Sequence, residues 1–151
     1  MTRYLVDTNV ISAIAPTASM PRTELLAWMD SHSAELFLSA ITIAEIADGI
    51  AKLKRENAKR KAADLSAWLQ TVLHLYGGRV LSFDSATAEI AGVLSDLARG
   101  RGHAPGFADV AIAATARRHD LIILSRNARH FASMDVAVID PFRELPQNRR
   151  R

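Results

Sequence analysis

The chain contains no cysteine, which excludes disulfides and every thiolate zinc site. Its five histidines, His32, His74, His103, His119 and His130, include no helical pair at metal-ligand spacing. Any metal is therefore expected on oxygen donors. No stretch reaches the roughly 18 uninterrupted apolar residues of a membrane span. The first residues run straight into an apolar strand, with no basic leader and cleavage site. The expectation is a soluble, cytoplasmic protein with no membrane partner. Internal repeats are missing. So are a glycine-rich phosphate loop ending in Lys-Ser or Lys-Thr, a Gly-x-Ser-x-Gly elbow and a His-Glu-x-x-His helix, with the chemistries each supports. Asp7-Thr8-Asn9 also lacks the second aspartate that a phosphoaspartate-type phosphatase uses.

What is present is 151 residues with 49% hydrophobic content, one domain's length and enough apolar surface for a sizeable core. Local patterns alternate between strand and helix, which predicts an α/β/α sandwich around a central parallel sheet. Strands are expected over 4–6, 36–38, 79–83, 121–124 and 137–139, and helices over 10–15, from near 21, and over 42–54, 58–75, 85–99 and 108–118. The 108–118 segment is apolar on nearly every side and predicts a central buried helix. A single domain is expected over 1–143, followed by a basic, mobile tail over 144–151.

Three carboxylates far apart in the chain, Asp7, Glu45 and Asp109, each stand where an apolar segment meets a turn or a helix start. Each has an ordinary explanation. Asp7 suits a helix N-cap, Thr42-Ile43-Ala44-Glu45 fits a capping box, and Asp109 suits the positive end of a helix. Against these, their apolar flanks predict carboxylates facing the interior or a cleft, where charge must be paired, hydrogen-bonded or bound to metal. Several carboxylates without softer donors suit Mg2+ or Mn2+. Such ions lower the pKa of water and polarise phosphate oxygens, so the implied chemistry is phosphoryl transfer.

Four blocks of sequence carry a family resemblance. They are Leu5-Val6-Asp7-Thr8-Asn9-Val10-Ile11-Ser12, Leu38-Ser39-Ala40-Ile41-Thr42-Ile43-Ala44-Glu45, Ala108-Asp109-Val110-Ala111-Ile112-Ala113-Ala114-Thr115-Ala116, and Leu124-Ser125-Arg126-Asn127. In order and spacing they resemble the motifs of PIN-domain toxins of the VapC type, most like the FitB branch, with Val138-Ile139-Asp140-Pro141-Phe142 closing the chain. The resemblance implies a PIN-like fold and a Mg2+- or Mn2+-dependent endoribonuclease that leaves a 5′-phosphate. It also implies a toxin role opposed by a small cognate antitoxin, within homodimers and larger hetero-oligomers. Position by position, Asp7, Glu45 and Asp109 match the family's acidic metal ligands, with Thr8, Asn9 and Ser125 in supporting places. The fourth ligand position, commonly acidic in the family, holds Asn127. With less negative charge there, one firm metal position is expected, and a second that depends on substrate phosphate.

The net charge of +3 permits a polyanionic partner. Lys52, Lys54, Arg55, Lys59, Arg60 and Lys61 are read as a solvated helix-helix turn, whereas Arg126 and Arg129 are expected to meet substrate phosphate. Leu25, Leu26, Trp28 and Met29, with Trp68, suit either core or a groove for a partner's amphipathic segment. Two other functions remain open. One is a non-catalytic binding module whose acidic pocket holds a basic side chain. The other is a structure-specific DNA nuclease.

Overall fold

The structure, a computed structural model, describes residues 1–20 and 22–147. Five parallel strands form one sheet in the order β3-β2-β1-β4-β5. They are β1 (Tyr4–Val6), β2 (Leu36–Ser39), β3 (Val80–Leu81), β4 (Ile122–Leu124) and β5 (Val138–Ile139). The helices are α1 (Thr8–Ala13), α2 (Thr23–Ser31), α3 (Ala40–Arg55), α4 (Lys59–Tyr76), α5 (Ser85–Gly100), α6 (Phe107–His119) and the single turn α7 (Ala128–Phe131). The α/β/α sandwich with a parallel sheet is as expected, apart from α7 and small shifts at element ends.

Alternation along the strands divides the core in two. Tyr4, Val6, Leu36, Leu38 and Leu124 face α1 to α4, where they meet Val10, Ile46 and Leu69. Leu5 and Ile123 face the other way, onto Leu94 of α5, Ile112 of α6 and Phe131 of α7. Covering both faces explains why the short strands are apolar without interruption. Each fully buried Leu, such as Leu94, contributes about 1.5–3 kcal/mol relative to exposure. Residues 110–116 of α6 are buried throughout, as expected of a central helix.

The chain reverses at two positive-φ residues that matter for this packing. Gly77, with φ 51° and ψ −121°, stops α4, a conformation that a side chain disfavours. Asp120, in the left-handed region at φ 53°, ends α6 and turns it into β4. At the far end, Trp28 donates its indole N–H to the Pro146 carbonyl at 3.1 Å, and Leu145 packs against the first core. The first part of the segment expected as a tail thus lies on the body of the domain, and residues 148–151 fall outside the described range.

Candidate metal centre

Strand order determines where the site forms. From β1 the sheet grows one way through β2 and β3, and the other way through β4 and β5. The carboxyl ends of β1 and β4 therefore border the point where the order reverses, the usual crevice for ligands in open parallel sheets. Asp7 directly follows β1 and Ser125 directly follows β4. The Asp7 backbone N–H donates to the Leu124 carbonyl at 2.9 Å, so the two strand ends are locked side by side.

Asp7 is 5% exposed. Its Oδ1 accepts from the Thr8 amide at 2.8 Å, making it the N-cap of α1. Its Oδ2 accepts from the Ser125 hydroxyl at 2.7 Å and from Asn9 Nδ2 at 3.4 Å. The capping and pocket explanations therefore both hold, one for each oxygen. Burial pushes the Asp7 pKa up; hydrogen bonds from Ser125 and Thr8 work against this, and the charges of Asp109 and Glu45 add to it. The charges of Asp109 and Glu45 are thus felt at Asp7.

Glu45 reaches the pocket by a different route from the capping box. α3 starts at Ala40, and Ser39 is its N-cap, accepting from the Ile41 amide at 3.1 Å. That places Glu45 in the second turn, too far along to reach back to the helix start. Thr42, the supposed cap, is fully buried inside the helix. Nor is Glu45 enclosed as its apolar neighbours suggested. It is exposed at the pocket rim, where the Thr8 hydroxyl donates to its Oε1 at 2.7 Å while lying 3.0 Å from the Thr42 hydroxyl. Asp48, one turn on, is exposed.

Asp109 lies in the first turn of α6, with its side chain 27% exposed. His130 Nδ1 is 3.2 Å from Asp109 Oδ2. In sequence His130 belongs to no histidine pair that would mark it as part of a site. The usable signal lay in Asn127-Ala128-Arg129-His130-Phe131: fully buried Phe131 pins α7 down, and the residue before it turns to the mouth.

The supporting residues act as clamps between elements. Thr8 ties α1 to α3 through Glu45. Asn9 donates Nδ2 to Ser125 Oγ at 3.3 Å and accepts the Arg126 amide on Oδ1 at 3.2 Å. Ser125, itself fully buried, also accepts the Asn127 amide at 3.0 Å. The Asn127 side chain is exposed and caps nothing. Of the two arginines, Arg126 lays its guanidinium over the Phe142 ring at 4.5 Å, while Arg129 lines a cleft beside Asp109. The Lys52 to Lys61 residues are exposed except for the linking Leu53 and Ala58, as expected of a solvated turn.

Among the described residues, no Lys or Arg forms an ion pair with Asp7, Glu45 or Asp109. No three Asp, Glu or His side chains among the described residues already converge as ligands of one ion. The acids are coupled, rather than preassembled. Their chemistry nonetheless fits a hard cation. Asp7 Oδ1, with one hydrogen bond, keeps a lone pair free for a cation, and Glu45 and Asp109 are not enclosed. A cation would also relieve the repulsion recorded at Asp7.

Known proteins share the sequence and the fold. The PIN domain family matches residues 4–137. Toxin FitB of Neisseria gonorrhoeae is 39% identical over 141 residues, covering 93% of this chain and 99% of the toxin. VapC ribonuclease Y4jK of Sinorhizobium fredii is 34% identical over 139 residues, covering 91% and 96%. The crystal structure of FitAcB from Neisseria gonorrhoeae superimposes with a TM-score of 0.74 at 36% identity, covering 92% of this chain and 98% of that one.

Proposed function

The chain belongs to the PIN-domain family, and from that premise we propose that it is the toxin of a type II toxin-antitoxin pair, an endoribonuclease that works with Mg2+ or Mn2+. The observation that carries the reading is buried Asp7 at the junction of β1 and β4, with Glu45 tied to the adjoining Thr8 and no Lys or Arg paired to Asp7, Glu45 or Asp109 among the described residues. Similarity to a toxin and to a VapC ribonuclease supports the same activity.

In this reading Asp7, Glu45 and Asp109 hold the cation, with Asn127 offering a carbonyl oxygen to a second, weaker position. When bound, a divalent ion supplies charge stabilisation to the phosphodiester and makes water a better nucleophile. Ser125 and the Thr8 amide favour the ionised form of Asp7 against its burial and hold its orientation. Thr8 holds Glu45, and Asn9 holds the loop that bears Asn127. Arg129 neutralises a substrate phosphate beside Asp109. Arg126 adds a second contact, since a stacked guanidinium still offers N–H groups at its edge. These arginines position RNA without selecting bases.

The antitoxin is assigned to a groove of about 400 Å³ between α2 and α4. Leu26 and Leu75, 43% and 65% exposed, stand on its walls with Trp68. Apolar side chains left open beside a helix pair suit a partner's amphipathic segment. A toxin homodimer within the complex is part of the same reading. No helix among the described residues is long and apolar enough to cross a membrane.

The test is cleavage of RNA by purified, antitoxin-free protein with Mg2+ or Mn2+, beside branched DNA and the Asp109→Asn variant. RNA cleavage that Asp109→Asn abolishes is expected. Preference for branched DNA selects the DNA nuclease instead. Failure to cleave either, with no site-specific Mn2+ binding by calorimetry, selects the non-catalytic module, which the amide at Asn127 would suit.

A further inference from the structure

Phe107 is the first residue of α6 and stands 67% exposed, two positions before Asp109. An exposed apolar ring is informative as part of a patch, and Phe107 shares an apolar cleft with Phe83, Pro105 and Val110. The ring is not loose: it meets Phe83 edge to face, with centroids 5.8 Å apart and planes at 75°. One contact of that kind holds the ring in place and leaves a face free. Beneath it lies a cleft of about 440 Å³, floored by the small residues Ala88, Ala91 and Gly92 of α5.

Pro105 lines this cleft and also a second one of about 420 Å³, whose walls carry His103, Asp109, Arg129 and His130. A polyanion leaving the acids thus meets Arg129 and two histidines first, then crosses Pro105 to an open aromatic face. Among the described residues Arg129 forms no ion pair. An arginine followed by an exposed ring is the recognition chemistry of single-stranded nucleic acid, in which phosphates are neutralised and bases stack. Two residues of helix turn the side chain by about 200°, so Phe107 and Asp109 project from opposite sides of a helix roughly 10 Å across.

We propose that Phe107 is a base-stacking platform for single-stranded RNA, receiving an unpaired base beyond the nucleotides that flank the cut, with Arg129 and His103 lining the path between. The proposal rests on the ribonuclease reading for the identity of the strand. It goes beyond that reading in assigning a substrate contact outside the acids and their arginines.

The experiment measures binding of a fluorescein-labelled, unstructured oligoribonucleotide of about ten nucleotides by anisotropy, in chelator and without metal. Sedimentation velocity is run on each variant. Phe107→Ala is expected to weaken binding about 10-fold, Phe107→Leu equally, and Phe107→Trp not at all, since stacking needs a π-face and not merely apolar bulk. Arg129→Ala weakens binding with a shallower salt dependence. The proposal is overturned if Phe107→Leu binds like wild type, if wild type binds no RNA, or if Phe107→Ala alters only self-association, which would make this face a contact between copies. Mn2+ calorimetry on the same proteins separates the two readings. Mn2+ binding with a neutral Phe107→Ala sinks the platform alone, and RNA binding that depends on Phe107 without Mn2+ binding sinks the metal reading alone.

Discussion

The Ser125 hydroxyl donates to Asp7 Oδ2 at 2.7 Å, joining residues 118 apart in sequence at the point where the sheet changes direction. This contact is why a serine at the end of β4 matters. Ser125→Ala leaves Asp7 short of a charge-assisted hydrogen bond of the kind worth about 1.5–3 kcal/mol. We expect Mn2+ affinity to fall roughly 10- to 100-fold, the usual loss for a residue supporting a ligand. Calorimetric titration of Mn2+ into Ser125→Ala checks this, and an unchanged affinity would remove Ser125 from the site.

Asp7 also governs how metal-free stability depends on pH. Burial raises its pKa above the ordinary 3.8, with the neighbouring acids adding to the rise. A carboxyl whose pKa is higher folded than unfolded binds its proton more tightly in the native state. Stability therefore falls as pH rises from 3.8 through the folded value, and the cost is fully present above it. Asp7→Asn removes this component, so in chelator it should exceed wild type in stability at neutral pH and lose the advantage in acid. Added Mn2+ should reverse the order. At 100 times its dissociation constant a ligand stabilises by about 2.7 kcal/mol, and only wild type should respond. Urea denaturation across pH, with and without Mn2+, gives the answer.

Asp109→Asn keeps the shape of the α6 start and removes one charge of the trio. Cleavage should drop by more than about 100-fold, beyond the range typical of supporting residues, while metal-free RNA affinity holds or rises because a repulsive charge has gone. Single-turnover rates together with anisotropy distinguish this from general damage.

Asn127 is exposed, and its side chain caps nothing. Asn127→Asp should therefore fold normally and add a fourth carboxylate at the mouth. The expected result is a second Mn2+ equivalent without RNA, where wild type binds one. Calorimetric stoichiometry reads it directly, and two equivalents in wild type would refute the assignment.

Gly77 ends α4 at φ 51° and ψ −121°, with nothing within 4 Å of where a Cβ would stand. Space is available, so backbone strain alone sets the cost. Gly77→Ala should destabilise by about 1–3 kcal/mol without changing RNA cleavage. Denaturation midpoints compared with activity test that separation.

Several features of the site were legible one residue at a time. The apolar run ending at Asp7, the fully apolar helix behind Asp109 and the absence of cysteine are local properties, and local properties survive in sequence. The capping-box alternative at Glu45 shows where such local properties stop. Thr42-Ile43-Ala44-Glu45 has the right letters for a capping box, yet β2 passes straight into α3 at Ser39 and moves the helix start three residues earlier. A cap is defined by where the backbone changes direction, which residue types alone do not set. The exposure of Glu45 followed likewise from its helix face, not from its neighbours' hydropathy.

What the sequence by itself determined is the exclusion of thiolate donors, a parallel α/β fold and the placing of Asp7 and Asp109 at helix starts, because composition, periodicity and breaker residues act over a few positions. What only the tertiary structure decided is who meets whom: Ser125 with Asp7, Thr8 with Glu45, His130 with Asp109, and Phe107 with an open cleft. The first of those pairings depends on β4 lying beside β1, and the second on β2 lying along the other edge of β1. Strand order is a consequence of how whole layers pack, and no single segment of the chain carries it.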